Sequence, residues 1–240
     1  MILVIPMAGR GSRFSNVGYT IPKPLIEVAG KPMLFHAFQS VKDVAYRKLI
    51  FIALKEHQDE YNVSDVIKKN INSTFELILL DEVTEGQLCT VLTAADFFKQ
   101  DEGLLIAASD SYIKSNIGKE IENSKADGLI SVRDLPGEQW SFAKADESGK
   151  VIEVAEKVRI SNFASTGLYY FRDSKTFEQE ANNIVTNKLT TKGEYYVMPL
   201  YNNLIQQGAD IRLSHAESMW DMGTPEAKTK FEIHLNESKT

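Results

Sequence analysis

The chain has 240 residues, of which 43% are hydrophobic and 25% are charged, as in ordinary globular proteins. Its 27 basic and 33 acidic residues give a formal net charge of −6. This balance excludes the broad basic face with which proteins usually bind nucleic acid. The sequence therefore predicts no nucleic-acid partner, and any polyphosphate must be held locally by a few cations.

Cysteine content and apolar segments predict the compartment. Cys89 is the only cysteine, so no intramolecular disulfide can form. The apolar run at residues 2–5 is too short for the core of a signal peptide, and no basic segment precedes it. No apolar stretch approaches the ~20 residues of a membrane span. These features predict a cytoplasmic protein with no membrane partner, and they leave the oligomeric state open, a homodimer included.

The first half of the chain alternates strand-length apolar runs with segments of helical length. The predicted strands are apolar throughout and cover residues 2–5, 49–53, 77–80 and 104–107. Helices are predicted from about Pro32, over residues 60–70 and over residues 87–98. Continuously apolar strands separated by helices indicate a parallel sheet that is covered on both faces.

From about Gly128 the pattern changes to shorter strands. These are predicted over residues 128–132, 141–145, 151–154 and 164–171, and residues 146–149 form a hairpin turn. The remaining predicted elements are helices over residues 174–185 and 194–207, a strand at 211–213, and a last helix from Pro225 to about Leu235. The last few residues are expected to be disordered.

These elements predict one α/β domain over residues 1–240. No linker, internal repeat or low-complexity tract divides the chain. We expect a nucleotide-binding half at about residues 1–127 and a more mixed half at about residues 128–240.

The first predicted strand leads directly into a glycine-rich, cationic loop. Gly9 and Gly11 lack the Cβ atoms that would keep backbone N–H groups away from an anion. Arg10 and Arg13 add planar guanidinium forks, and Lys23 adds a mobile point charge. The loop is therefore predicted to hold a phosphate chain. The alternative is an ordinary strand-to-helix turn that carries its charges by chance.

Two common phosphate-binding patterns do not fit this loop. No Gly-Lys-Ser/Thr follows it, which excludes a Walker A loop. The spacing from Gly9 and Gly11 places Phe14 where the dinucleotide fingerprint needs a small residue. A Rossmann dehydrogenase is therefore only a remote alternative.

Asp110 lies shortly after the predicted strand at residues 104–107. The carboxyl edge of an open α/β sheet is where ligands bind. Mg²⁺ prefers oxygen ligands and is often held by one or two carboxylates together with substrate phosphates. Asp110 is therefore a predicted magnesium ligand, and the alternative is a cap of a helix or turn.

Three stretches of the N-terminal segment together resemble the signature of the nucleotidyltransferases that act on sugar 1-phosphates. They are GRGSRF at residues 9–14, PKPL at 22–25 and GKPM at 30–33. The resemblance implies a Rossmann-like three-layer α/β/α fold, with a mostly parallel mixed central sheet and a small β-rich excursion that binds the acceptor. It also implies that the loop wraps the triphosphate of an NTP.

The resemblance assigns nucleotide-binding roles. Arg13 would hold the β- and γ-phosphates, and Lys23 would reach the α-phosphate, where charge shifts in the transition state. Ala8 and Gly9 would contact the base through the backbone. The implied NTP-binding residues are Ala8, Gly9, Arg10, Gly11, Ser12, Arg13, Lys23, Gly86 and Gln87. For Gly86 and Gln87, which would read the base edge, simple helix initiation is an equal alternative.

The segment WDMGT at residues 220–224 resembles the family's Trp-x-Asp-x-Gly-Thr motif with one residue fewer. The resemblance implies that Asp221 is a second metal ligand beside Asp110. The implied catalytic residues are Lys23, Arg13 and Asp110. A helix start, with Thr224 as N-cap and Pro225 in the first turn, is compatible with this role.

Three further motifs resemble the acceptor side of the family. These are Glu-Lys at residues 156–157, the strand GLYYF at 167–171 and GEYY at 193–196. The resemblance implies that Glu156, Lys157, Gly167 and Glu194 bind the second substrate. The alternative is a solvent-facing Glu-Lys pair with ordinary aromatic packing.

The predicted reaction is Mg²⁺-dependent transfer of NMP from CTP, UTP or dTTP to a phosphorylated metabolite of the sugar 1-phosphate type. Pyrophosphate is released, and the product would be a precursor of surface polysaccharide. One alternative acceptor is a non-sugar phosphate, either phosphocholine-like or a phosphorylated amino-acid derivative such as phosphoglutamine. The short chain and Pro6-Met7, in place of the commoner Leu-Ala, support this alternative. A non-catalytic nucleotide-sensing module is the second alternative.

Overall fold

The computed structural model describes residues 1–238. Lys239 and Thr240, at the end of the tail for which the sequence predicts disorder, lie outside the described residues. Within residues 1–238, nine strands form the central sheet. They are β1 (Ile2–Pro6), β4 (Lys48–Leu54), β5 (Glu76–Leu80), β6 (Leu104–Ala107), β8 (Gly128–Arg133), β9 (Ser141–Ala145), β10 (Val151–Glu156), β11 (Phe163–Phe171) and β12 (Ile211–His215). Two small two-stranded sheets consist of β2 (Glu27–Val28) with β3 (Lys31–Pro32), and of β7 (Ser111–Lys114) with β13 (Ser218–Asp221).

The first half of the chain builds the parallel part of the central sheet. β1 pairs in parallel with both β4 and β6, so that Val4 lies opposite Ile50 on one side and Ile106 on the other. β5 extends this part in parallel along β4. Continuously apolar strands fit this position because both of their faces are covered.

The second half of the chain adds antiparallel strands. β11 runs antiparallel to β6, β8 and β9, whereas β12 pairs in parallel with β8. β9 and β10 form a hairpin. Its turn is closed by Asp146, whose Oδ1 accepts hydrogen bonds from the backbone N–H groups of Ser148 at 2.8 Å and Lys150 at 3.1 Å. The hairpin prediction is confirmed, and the complete sheet is mixed.

Helices cover both faces of the sheet. The described α-helices are α1 (Ser12–Ser15), α2 (Met33–Gln39), α3 (Lys55–Tyr61), α4 (Val63–Asn70), α5 (Gln87–Leu92), α6 (Ile117–Asn123), α7 (Ser174–Thr186), α8 (Leu200–Gln206) and α9 (Pro225–Glu237). Ile2 and Val4 of β1 pack into one core with α5, α7 and α8, and Leu3 and Ile5 pack into another with α2, α4 and α6. The predicted α/β class is confirmed. None of the helices within residues 1–238 is long and apolar enough to cross a bilayer.

Three helix predictions were wrong in their bounds. The helix predicted over residues 60–70 is divided at Asn62, which adopts the left-handed conformation with φ 47° between α3 and α4. The helix predicted over residues 87–98 ends at Leu92, and a short 3₁₀ turn at Ala95–Phe97 follows. The helix predicted from residue 194 begins only at Leu200.

A third, smaller core joins the glycine-rich loop to the C-terminal helix. Phe14 of α1 is 1% exposed and packs in one cluster with Met222 and with Phe231 of α9. Thr224 caps α9, its hydroxyl accepting a hydrogen bond from the Ala227 N–H at 3.1 Å, as predicted. This core fixes the glycine-rich loop against the segment that carries Asp221.

Candidate active site

The glycine-rich loop folds back on itself at Gly11. This residue has φ 61° and precedes α1, and a Cβ at this position would lie 2.9 Å from the Cβ of Lys23. Real Cβ atoms do not approach so closely, and L-residues rarely adopt this φ. Gly11 therefore allows the two ends of the loop to pack together, which places Lys23 beside the end of β1.

Lys23 pairs with Asp110 across the carboxyl edge of the sheet. The Lys23 ammonium donates a hydrogen bond to Oδ2 of Asp110. Burial would raise the pKa of Asp110, but the charge and hydrogen bond of Lys23, together with the charge of Arg13, hold it below its usual range. Asp110 is therefore ionised at neutral pH, with Lys23 and Arg13 close to it.

A second carboxylate, Asp221, is brought to Asp110 by the small sheet of β7 and β13. In its register Asp221 lies opposite Ser111, and the Met222 N–H donates to the Asp110 carbonyl at 2.8 Å. A Cβ on Gly223 would lie 2.9 Å from Asp221 Oδ1 and 3.4 Å from Asp110 Oδ2. Burial, and next the charge of Asp110, raise the pKa of Asp221.

Two neighbouring carboxylates of this kind form an oxygen donor set that suits a hard divalent cation. A cation between them would relieve the repulsion that raises the pKa of Asp221. Within residues 1–238 no group of three or more His, Cys, Asp or Glu side chains is placed to hold a metal ion. The pair fits a cation whose other ligands come from substrate phosphates and water.

One cavity of about 620 Å³ opens beside the loop. All predicted nucleotide-binding residues except Arg13 line it, namely Ala8, Gly9, Arg10, Gly11, Ser12, Lys23, Gly86 and Gln87. Asp110 also lines this cavity, and so does Glu194, which the sequence assigned to the acceptor side. We call it the nucleotide cavity.

Gly86 joins the nucleotide cavity to the segment around Tyr195. It precedes α5 with φ 145°, and a Cβ here would lie 2.5 Å from the backbone nitrogen of Tyr195. Tyr195 donates its N–H to the Glu85 carbonyl at 3.0 Å, and its carbonyl accepts from the Leu88 N–H at 3.0 Å. Because these backbone groups are used in a long-range pairing, residues 194–199 do not join the helix that the sequence predicts.

A second cavity of about 610 Å³ adjoins the first. It is lined by Asp221, by Arg13 and by two predicted acceptor-binding residues, Glu156 and Gly167. We call it the acceptor cavity. It shares four wall residues with the nucleotide cavity, namely Gln87, Ala108, Asp110 and Tyr196.

Gly167 and Glu156 form part of the acceptor cavity for different reasons. Gly167 has φ 94°, and a Cβ here would lie 2.8 Å from the Cβ of Ala108, so glycine allows β11 to approach the segment after β6. Glu156 is 8% exposed, burial raises its pKa, and it accepts a hydrogen bond from the Ser141 hydroxyl. Glu156 is thus a buried carboxylate at the wall of a polar cavity.

The sequence reasoning missed several residues that line the acceptor cavity. These are Gln139, Trp140, Ser141, Tyr169, Tyr196, Glu226 and Lys230. Tyr196 lies within a motif that the sequence analysis quoted, but no role was assigned to it. Glu226 and Lys230 are on α9, which begins shortly after Asp221 in sequence, and this is a signal that could have identified them.

Lys157 is the one predicted site residue that lines neither cavity. Its ammonium donates a hydrogen bond to the Tyr196 hydroxyl and lies 4.3 Å from the centroid of the Tyr196 ring. Lys157 is therefore connected to the wall between the cavities only by its contact with Tyr196.

The two cavities meet at Asp110, which is hydrogen-bonded to Lys23 of the loop. This arrangement suits an enzyme that joins two phosphate-bearing substrates. The model of the Nucleotidyl transferase family matches residues 2–236, and the chain belongs to this family of enzymes.

Individual relatives agree with this assignment. The chain is 25% identical over its whole length to the UTP–glucose-1-phosphate uridylyltransferase AglF of Haloferax volcanii, covering 98% of that protein. It is 26% identical to the bifunctional protein GlmU of Methanocaldococcus jannaschii over 86% of the chain, but it spans only 47% of that relative. The structure of a nucleoside-diphosphate-sugar pyrophosphorylase from Vibrio cholerae RC9 superposes with a TM-score of 0.82 at 30% identity, covering 96% of this chain and 99% of the other.

Proposed function

We propose that the protein transfers an NMP group from an NTP to a phosphate monoester of the sugar 1-phosphate type and releases pyrophosphate. The observation that carries the proposal is the position of Asp110, which is bonded to Lys23 and lines both cavities. The name of AglF, a UTP–glucose-1-phosphate uridylyltransferase, supports UTP and a sugar 1-phosphate as the first substrate pair to test. CTP and dTTP are the other candidate nucleotides.

The chemistry requires positioning rather than a general base. An oxygen of the acceptor phosphate forms a bond to the α-phosphorus, and the bond from that phosphorus to the β-phosphate oxygen breaks. Pyrophosphate leaves with the electron pair. The attacking oxygen is already anionic, so the chief tasks are to hold two polyanions in line and to stabilise the charge that shifts between them.

The cations of the glycine-rich loop suit these tasks. Lys23 would bind the α-phosphate, where charge develops in the transition state. Arg13 would hold the β- and γ-phosphates, and its position on the acceptor cavity brings it near the second substrate as well. Backbone N–H groups beside Gly9 and Gly11 would complete the cradle.

Asp110 and Asp221 would hold Mg²⁺. The bound ion would neutralise phosphate charge and act as a Lewis acid at the phosphoryl oxygens. The raised pKa of Asp221 and its closeness to Asp110 support this assignment.

The residues that line the two cavities support the separate nucleotide-binding and acceptor-binding halves that the sequence predicts. The nucleotide cavity is lined mainly by residues before 128, and the acceptor cavity mainly by residues after 128. We therefore propose that the first half binds the NTP and the second half binds the acceptor. The product would serve as a precursor of surface polysaccharide.

The composition of the acceptor cavity also favours a second candidate acceptor. The rings of Trp140, Tyr169 and Tyr196 line it together with the carboxylates of Glu156 and Glu226. Aromatic faces and carboxylates attract cationic groups, although carboxylates also bind sugar hydroxyls. A phosphate monoester with an ammonium group, such as phosphocholine or a phosphorylated amino-acid derivative, is therefore the alternative.

A substrate panel tests both proposals. Purified protein is incubated with ATP, GTP, CTP, UTP or dTTP, each with glucose 1-phosphate, phosphocholine or phosphoglutamine, and pyrophosphate release is measured with Mg²⁺ and with EDTA. We expect release for at least one pair, and only with Mg²⁺. Nucleotide binding without release for any pair would instead support a nucleotide-sensing module.

A further inference from the structure

We infer that Tyr196 is a positioning residue that holds the Lys157 ammonium at the wall between the nucleotide and acceptor cavities, ready for the acceptor's phosphate. The inference rests on the proposed function, since it assigns a task to Tyr196 within the same reaction.

The backbone of Lys157 is held in an unusual conformation. Lys157 follows β10 and has φ 56°, a left-handed backbone conformation that residues with a Cβ rarely adopt. Its N–H donates to the Trp140 carbonyl at 3.0 Å. Such conformations persist where the surrounding structure enforces them, and they cluster at functional sites. The backbone thus directs the Lys157 side chain towards Tyr196.

The hydroxyl of Tyr196 leaves most of the ammonium's donors available. A lysine ammonium has three N–H donors, and the hydroxyl oxygen accepts one of them. The ring centroid lies 4.3 Å from the same ammonium, so the ring packs beside the hydrogen-bonded group. The remaining donors can bind a phosphate while Tyr196 keeps the side chain in place.

The hydroxyl of Tyr196 remains a neutral acceptor. Burial, followed by the effect of the Glu194 carboxylate, raises the pKa of Tyr196 well above its usual value. The Tyr196 hydroxyl therefore stays uncharged while it accepts a hydrogen bond from the Lys157 ammonium.

Tyr196 is itself held by the nucleotide side of the site. The adjacent Tyr195 exchanges backbone hydrogen bonds with Glu85 and Leu88, and Gly86 permits that close contact. The Tyr196 side chain lines both cavities. Lys157, which starts on the acceptor side, is therefore positioned by a segment anchored on the nucleotide side.

A double-mutant cycle tests whether Tyr196 acts through Lys157. The variants are Tyr196→Phe, which keeps the ring, Lys157→Ala and the double variant. Tyr195→Phe is the matched control, because it removes a neighbouring hydroxyl that does not contact Lys157. Rates are measured with UTP and glucose 1-phosphate, or with the fastest pair of the substrate panel if that pair is inactive.

Tyr196→Phe is expected to raise the KM for the acceptor about tenfold, the lower end of the scale of losing one hydrogen bond to a charged group. The KM for the NTP and kcat should change by less than about twofold, because the lysine would act in acceptor binding. In the Lys157→Ala background the Tyr196→Phe substitution should have no further effect. Tyr195→Phe should leave the acceptor KM unchanged.

Equal effects of Tyr196→Phe in both backgrounds would overturn the inference, as would an unaltered acceptor KM in either single variant. Thermal unfolding checks that each variant is folded. Absence of pyrophosphate release from the unaltered protein would reject the proposed function and this inference with it, whereas release with additive effects would reject the inference alone.

Discussion

Lys23 and Asp110 are 87 residues apart in sequence, and the Lys23 ammonium donates a hydrogen bond to Oδ2 of Asp110. Each side chain neutralises the other in the substrate-free protein. Lys23 is proposed to bind the α-phosphate of an NTP, and Asp110 is proposed to hold Mg²⁺. Substrate binding would therefore replace this ion pair with contacts from each partner to phosphate or to Mg²⁺.

Lys23→Ala is expected to reduce turnover far more than it reduces NTP binding. The lysine would act where charge shifts during the reaction, so its contribution grows in the transition state. The measurements are kcat from pyrophosphate release and the dissociation constant of the NTP by calorimetry. Lys31→Ala is the control, because Lys31 is exposed and contacts the ring of Phe35 instead of Asp110. Equal losses of binding and turnover would show that Lys23 serves the ground state only.

Asp110→Asn should lower kcat by about 100-fold or more, the scale of removing one preorganised electrostatic group. The amide has no negative charge to offer Mg²⁺ or Lys23. Pyrophosphate release over a range of Mg²⁺ concentrations is the measurement. Asp81→Asn, at a side chain that is 88% exposed, controls for the loss of one negative charge. Near-normal release at all Mg²⁺ concentrations would contradict the metal assignment.

Gly167→Ala and Gly208→Ala separate backbone strain from steric overlap. Their φ angles are similar, 94° and 91°, but a Cβ on Gly167 would lie 2.8 Å from Ala108, whereas Gly208 has no heavy atom within 4 Å of that position. Gly208→Ala should cost about 1 kcal/mol of unfolding free energy from strain. Gly167→Ala should cost about 1–3 kcal/mol more from overlap. Urea unfolding of both variants measures the difference, and equal costs would refute the close packing of β11 against Ala108.

The unfolding free energy of the Glu156→Gln variant should increase, relative to that of the natural protein, as the pH rises. Burial raises the folded-state pKa of Glu156 above the usual value of a glutamate. Between the unfolded and the folded pKa the unfolded chain releases a proton that the folded protein retains, so this group reduces stability as the pH rises. Glutamine cannot ionise and can still accept from Ser141. Urea unfolding at pH 4 and pH 7 is the measurement, with the exposed Glu153→Gln on the same strand as the charge control. A constant difference between the variant and the natural protein at both pH values would contradict this account.

Local patterns in the sequence predicted the elements that depend on local physics. The strands at residues 104–107 and 141–145 have the predicted bounds, and Thr224 caps α9 as expected. A continuous apolar run and a Thr-Pro helix start are formed by residues that adjoin in sequence. The elements that they predict are therefore not altered by contacts with distant parts of the chain.

Long-range contacts decide what the sequence could not predict. Residues 194–199 are compatible with a helix, but the backbone groups of Tyr195 pair with Glu85 and Leu88 far away in the chain. The position of Lys157 depends likewise on the distant Tyr196. For the candidate site, the motif residues predicted to bind the NTP, except Arg13, line the nucleotide cavity, whereas Gln139 and Trp140 reach the acceptor cavity through folding alone.

The two-stranded sheet of β7 and β13 has a consequence for protein synthesis. β7 directly follows Asp110, and its partner β13 ends at Asp221, so the first carboxylate is translated long before the strand that delivers the second. A growing chain therefore carries only one of the two neighbouring carboxylates until β13 has been translated. The pair of carboxylates that is proposed to hold Mg²⁺ is therefore complete only when β13 docks against β7.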